Sequence, residues 1–158
     1  MGKNRLDRRI VNRIAKQLSK SRNPLLIVSE VYRIPYGKKC VVDSPDKAAK
    51  CFANIADKKQ EHFAVLTLDG ARQAINCHIV TVGTLTQSLV HPREVFALAI
   101  EDRAASIIIA HNHPSGDLSV SEHDKKVTGI IREAGQIMNI PLDDHIIVSG
   151  GEFASAFH

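Results

Sequence analysis

Residues 107–124 read IIIAHNHPSGDLSVSEHD, a run of β-branched apolar residues that ends in two histidines one residue apart. Three isoleucines and an alanine after Ser106 suit a strand buried on both faces, the kind found inside an α/β sheet. Pro114 cannot continue a strand's hydrogen bonding, and Ser115-Gly116-Asp117 supplies a turn. Ser121 then stands where a helix would begin, with an acid three residues on. The stretch therefore predicts a strand over 106–110, a reversal, and a helix over 122–138.

Side chains two apart on a strand share a face, so His111 and His113 project together while Asn112 points away. Two imidazoles at the C-terminal end of a strand make a candidate pair of metal ligands. Asp124, in the first turn of the following helix, is the candidate third. Two histidines and a carboxylate leave a fourth tetrahedral position for water, which is the pattern of a catalytic zinc site, although mixed N and O ligation also admits other divalent ions. Each half has a plain structural reading: Ser121-x-x-Asp124 is close to a capping box, and two loop histidines can simply bond to backbone. Their combination across one tight turn favours a metal site, and capping and ligation are compatible.

Outward from this stretch, the chain alternates strand and helix signals. LLIVSEVYRI (25–34) reads as a strand, and SPDKAAKCFANIA (44–56) as a helix with Ser44 at its N-cap and Pro45 in its first turn. EHFAVLTL (61–68) is a strand, Asp69-Gly70 a turn, and ARQAINCHIVTVG its hairpin partner. Adjacent Cys77 and His78 on that partner face opposite ways. VHPREVFALAIEDRAA is a helix that His91 leads into and Pro92 starts; a last strand runs from His145 to Val148, before the Gly150-Gly151 turn. His145 reads as a partly buried histidine fixed by hydrogen bonds, and Asp117 as a turn residue bonding backbone amides. Strands interleaved with helices, with at least one hairpin, define an α/β domain around a mixed sheet flanked by helices.

The 158 residues suffice for one such domain, placed at 25–158, preceded by an arm at 1–24. In the arm, Leu6, Ile10, Ile14 and Leu18 recur every four residues, giving an amphipathic helix with a basic outer face. Residues 1–22 carry eight Lys or Arg against one acid, so the whole basic excess of the +4 chain sits there. That arm either docks its apolar stripe on the domain or contacts nucleic acid or another acidic partner. Apolar runs are too short to span a bilayer, and no secretory signal pattern opens the chain, so a soluble cytoplasmic protein is expected. Cys40, Cys51 and Cys77 are spaced for neither a disulfide framework nor a zinc knuckle and read as reduced, mostly buried thiols.

HNHPSGDLSVSEHD resembles the JAMM motif of JAB1/MPN-type metalloproteases, H-x-H-P-x6-S-x2-D, with His111, His113, Pro114, Ser121 and Asp124 at every signature position. GTLTQSLVHPREVFALAI and IPLDDHIIVSGG extend the likeness to the RadC-like JAB family of bacteria, over about residues 40–155. The resemblance implies a JAB1/MPN-like fold, related to that of cytidine deaminases, and a zinc-dependent peptidase or isopeptidase. It implies one Zn2+ with water as fourth ligand, held by His111, His113 and Asp124. Glu61 would handle the proton of that water, and Ser121 would contact the developing oxyanion. Glu94 and Glu101, the rival acids, suit surface helix charge better. A peptide or isopeptide-linked protein is the implied substrate. RadC-type proteins usually carry an N-terminal helix-hairpin-helix region, for which residues 1–24 leave no room. The deaminase signature, H-x-E with P-C-x-x-C, is absent. From a different class, a nucleic-acid-associated DNA-repair or accessory protein would bind through the basic arm and keep a structural metal.

Overall fold

The computed structural model describes residues 31–33, 40–83 and 90–157. The basic arm, most of the strand expected over 25–34, and residues 84–89 lie outside the described residues. Six strands form one sheet among the described residues: β1 (Val31–Arg33), β2 (His62–Leu68), β3 (Ala74–Val82), β4 (Ser106–Asn112), β5 (Leu142–Ser149) and β6 (Glu152–Ser155), in spatial order β1-β3-β2-β4-β5-β6. Every neighbouring pair is antiparallel except β4 and β5, which run parallel. The helices are α1 (Pro45–Cys51), α2 (Ala53–Ala56), α3 (Pro92–Glu101) and α4 (Glu122–Met138). The expected mixed α/β sheet with flanking helices is what the chain forms, and it is compatible with the JAB fold.

Alternation along the strands sorts the core into two layers. Phe52, Ile55, Leu66, Ile79, Ile108 and Ile146 pack on the face that α1 and α2 cover, whereas Phe63, Val65, Phe96, Ile107, Ile109 and Ile131 pack on the face of α3 and α4. Cys77 belongs to the first layer and His78 bonds Asp102 at the end of α3, so these neighbours do face opposite ways. Both faces of β4 are therefore covered, which explains its uniform hydrophobicity.

A parallel pair needs a crossover, and α4 supplies it between β4 and β5. The helix leaves the C-terminal end of β4 and returns the chain to the start of β5, so its own first turn sits by the end of β4. Its far half packs tightly: a Cβ on Gly135 would lie 2.7 Å from the carbonyl oxygen of Ile140 and 3.3 Å from the Phe96 ring. Asn139 closes the helix in the left-handed region at φ 54°.

Three boundaries differ from expectation. The helix expected over 44–56 breaks at Phe52, whose N–H reaches back to Ala49 across a tightened turn that buries both Phe52 and Ile55 against the sheet. The strand expected to stop at Ala110 continues through Asn112, because His111 and Asn112 pair with Ile147 and Val148. The last strand starts at Leu142, and a further strand, β6, follows it. Gly150 and Gly151, at φ 53° and 88°, make the two-residue turn that lets β6 fold back on β5.

The three cysteines are free; Cys77 is buried and the other two half-buried. Burial pushes the Cys77 thiol up to about 12, so it stays protonated and unreactive near neutrality.

Candidate metal centre

His111 is the last inward-facing residue of β4 and is fully buried. His113 lies just past the strand, its N–H bonded to the Val148 carbonyl at 3.2 Å. The two rings converge as strand geometry requires, with Nε2 to Nε2 at 2.8 Å. Asp124 arrives from the first turn of α4, its Oδ1 3.2 Å from His111 Nε2 and its Oδ2 3.9 Å from His113 Nε2. One donor atom from each residue lies within 4.8 Å of the others, and this is the only such group found among the described residues.

These separations fit one small cation. Two ligands about 2.0–2.1 Å from a tetrahedral ion stand roughly 3.3 Å apart, and the observed 2.8, 3.2 and 3.9 Å bracket that value. His113 is oriented to coordinate such an ion. Its Nδ1–H donates to the Asp117 carbonyl, which can only accept, so in the neutral ring Nε2 presents a bare lone pair to the centre. The Asp117 carboxylate accepts from Ser119 N–H at 2.8 Å and fixes the turn, as the sequence suggested.

Asp124 and Ser121 form the expected capping box. The Ser121 hydroxyl oxygen accepts from Asp124 N–H at 3.1 Å, and Asp124 Oδ2 accepts from Ser121 N–H at 2.9 Å. The Ser121 hydroxyl hydrogen goes to the same Oδ2, at 2.6 Å. Burial works to raise the Asp124 pKa, but the adjacent His111 ring and the hydrogen bonds from Ser121 outweigh it and hold the carboxylate well below its ordinary range. It is therefore ionised, as a metal ligand must be.

Glu61 is half-buried and immediately precedes β2. Phe63 pairs with His111 at the end of the β2–β4 ladder, and Glu61 lies two residues before that pair. Its carbonyl accepts from Gly83 N–H at 2.9 Å. The rival acids sit elsewhere on α3, Glu94 paired with Arg93 and Glu101 exposed.

Two residues next to the ligands do more than the sequence alone implies. Asn112 faces away from the centre, as expected, yet it is fully buried and makes three hydrogen bonds. Its Oδ1 accepts from His62 N–H at 2.7 Å, and its Nδ2 donates to the carbonyls of Lys58 and Gln60 at 3.0 and 3.1 Å. It thus straps the segment holding Glu61 to the strand end that carries the histidines. An amide at a doubly covered strand position was the available signal. His145, expected to be partly buried, is wholly buried behind the ligands: its Nε2 is 2.8 Å from His111 Nδ1, and its Nδ1 is 2.6 Å from the Thr128 hydroxyl. His91 occupies the N-cap of α3 without a side-chain cap bond, while Val95 and Phe96 of the same motif are core.

Burial, then the neighbouring His111, pushes His145 down to about 3. An unfolded imidazole takes up its proton near 6.5, so between roughly pH 6.5 and 3 the unfolded chain binds a proton that the folded chain refuses. Folded stability is then expected to fall with falling pH, by up to about 1.4 kcal/mol per pH unit from this group. Urea midpoints of the metal-stripped protein between pH 7 and 4 measure it. His145→Gln, which does not titrate, should flatten that slope; equal slopes in the two proteins would count against the assignment.

A mixed sheet with helices on both faces and a His-x-His plus Asp group at the end of one of its middle strands is compatible with a JAB-type domain. The sequence matches the RadC-like JAB domain family over residues 42–158, and the chain belongs to that family. It is 44% identical to a UPF0758 protein of Thermosynechococcus vestitus over 126 residues, covering 79% of this chain and 50% of that one. It is 40% identical to a UPF0758 protein of Rubrobacter xylanophilus (92% and 59%) and 48% identical to one of Methanospirillum hungatei (72% and 52%). The chain thus spans about half to three-fifths of the length of these curated relatives. No helix among the described residues is long and apolar enough to cross a membrane.

Proposed function

We propose that this chain is a zinc-dependent hydrolase of peptide or isopeptide bonds. The observation that carries the reading is the convergence of His111, His113 and Asp124, from two different elements, into one three-donor set, with Glu61 just ahead of the neighbouring strand. Two imidazoles and a carboxylate suit zinc among the common divalent ions. Bound there, zinc would lower the pKa of water to about 7 and polarise the scissile carbonyl.

In this reading the chain's own residues do the rest. Glu61 removes a proton from the attacking water and later delivers it to the leaving amine nitrogen. The Ser121 hydroxyl turns from Asp124 Oδ2 to the oxygen that gains negative charge, while its own oxygen keeps the Asp124 N–H. A peptide or an isopeptide-linked protein is the substrate class, since an amide is what needs both a strong nucleophile and a proton for its leaving group. Three free thiols suit the reducing cytoplasm.

The test is metal removal and restoration on a panel of fluorogenic peptides and isopeptide-linked substrates. Cleavage should require about one equivalent of zinc, disappear on chelation and return with added zinc. A protein that holds zinc tightly and cleaves nothing in the panel would overturn the hydrolase reading; one that holds no metal would overturn the centre itself.

A further inference from the structure

His145 and Thr128 belong to neither the ligand set nor the proton-handling groups, yet their contacts lead from one ligand to another. The Thr128 hydroxyl lies 2.7 Å from the main-chain carbonyl of Asp124 and 2.6 Å from His145 Nδ1, and His145 Nε2 lies 2.8 Å from His111 Nδ1. A carbonyl can only accept, so Thr128 donates its single hydrogen to Asp124. The hydroxyl oxygen must then accept from His145, which places a hydrogen on His145 Nδ1. His145 is 1% exposed, and burial disfavours a cationic ring there, so its Nε2 is an acceptor. His111 Nδ1 therefore carries the hydrogen between these rings, and in the neutral ring that a metal ligand requires His111 Nε2 carries none.

The consequence at the centre is specific. His113 Nε2 is also bare, because its Nδ1–H is spent on the Asp117 carbonyl. Two lone pairs 2.8 Å apart, facing a carboxylate, have no hydrogen to join them; they share a cation or repel.

We propose that Thr128 and His145 are positioning residues that fix the tautomer of His111, a one-way relay running from His111 through His145 and Thr128 to the carbonyl of Asp124. The relay begins and ends on metal ligands, so it ties the strand-borne ligand to the helix-borne one. It rests on the metal-centre reading above and says which protein groups make that centre ready before any ion arrives. It also explains why a threonine is buried in mid-helix at position 128, where a valine would fill the same space without a hydroxyl.

Two measurements test it. Nitrogen-15 spectra of the histidine rings in the zinc-loaded wild type should show hydrogen on Nδ1 of both His111 and His145; hydrogen on His145 Nε2, with Nδ1 bare, would overturn the relay without any variant. Zinc affinity, measured by competition with a chromophoric chelator, should fall about 10- to 100-fold in Thr128→Val and recover in Thr128→Ser. Unchanged affinity in a folded Thr128→Val protein would overturn the relay and leave the metal centre standing. A wild type that binds no zinc would overturn both.

Discussion

Alanine at position 124 is expected to leave the purified protein with essentially no bound metal, where the wild type carries about one equivalent per chain. The carboxylate is the only negatively charged member of the candidate ligand set, and it is buried and held ionised. Loss of a partner that merely orients a ligand costs about 10- to 100-fold in affinity, and loss of the ligand itself must exceed that. The fold should survive. Ser121 would still accept the N–H of residue 124, so only the reciprocal half of the capping box disappears, a loss of about 1 kcal/mol. Metal analysis after dialysis, with thermal unfolding as a control, checks both parts. Retention of a full equivalent of metal in Asp124→Ala would show that the ligand set is misassigned.

Glu61→Gln is expected to separate binding from turnover. The amide matches the carboxylate in size but is no base, so hydrolysis should fall by about 10²- to 10⁴-fold, equivalent to about 3–5 kcal/mol of transition-state stabilisation, with zinc content unchanged. The separation is expected because Glu61 comes from the segment before β2, whereas all three ligands come from the β4–α4 unit. Full activity in the glutamine variant would remove Glu61 from the mechanism. Loss of zinc from it would make Glu61 a ligand instead.

The centre was readable from sequence to the extent that it is local. His111, His113, Ser121 and Asp124 span fourteen residues, and two simple periodicities with one proline bring them together. The capping box and the helix over 122–138 follow from the same few residues. What lay beyond reach depended on long-range pairing. The strand grew by two residues because β5 offered partners to His111 and Asn112, and β6 exists because two glycines turn a short polar segment back on a buried edge. The bonds of Asn112 reach residues 58–62, about fifty positions away, and the place of His145 depends on the parallel register that sets Ile109 beside it. Glu61 stood out only through family likeness, since nothing near it in the chain marks it as more than the first polar residue of a strand.

The residue between the two histidines is a spacer in any motif notation, but its hydrogen bonds give it a mechanical duty. Because Asn112 bonds the backbone on both sides of Glu61 while its neighbours are the candidate ligands His111 and His113, it ties the acid's segment directly to the end of β4. A displacement of that strand end is then expected to carry the Glu61 segment with it, which limits any change in the spacing between Glu61 and the two imidazoles.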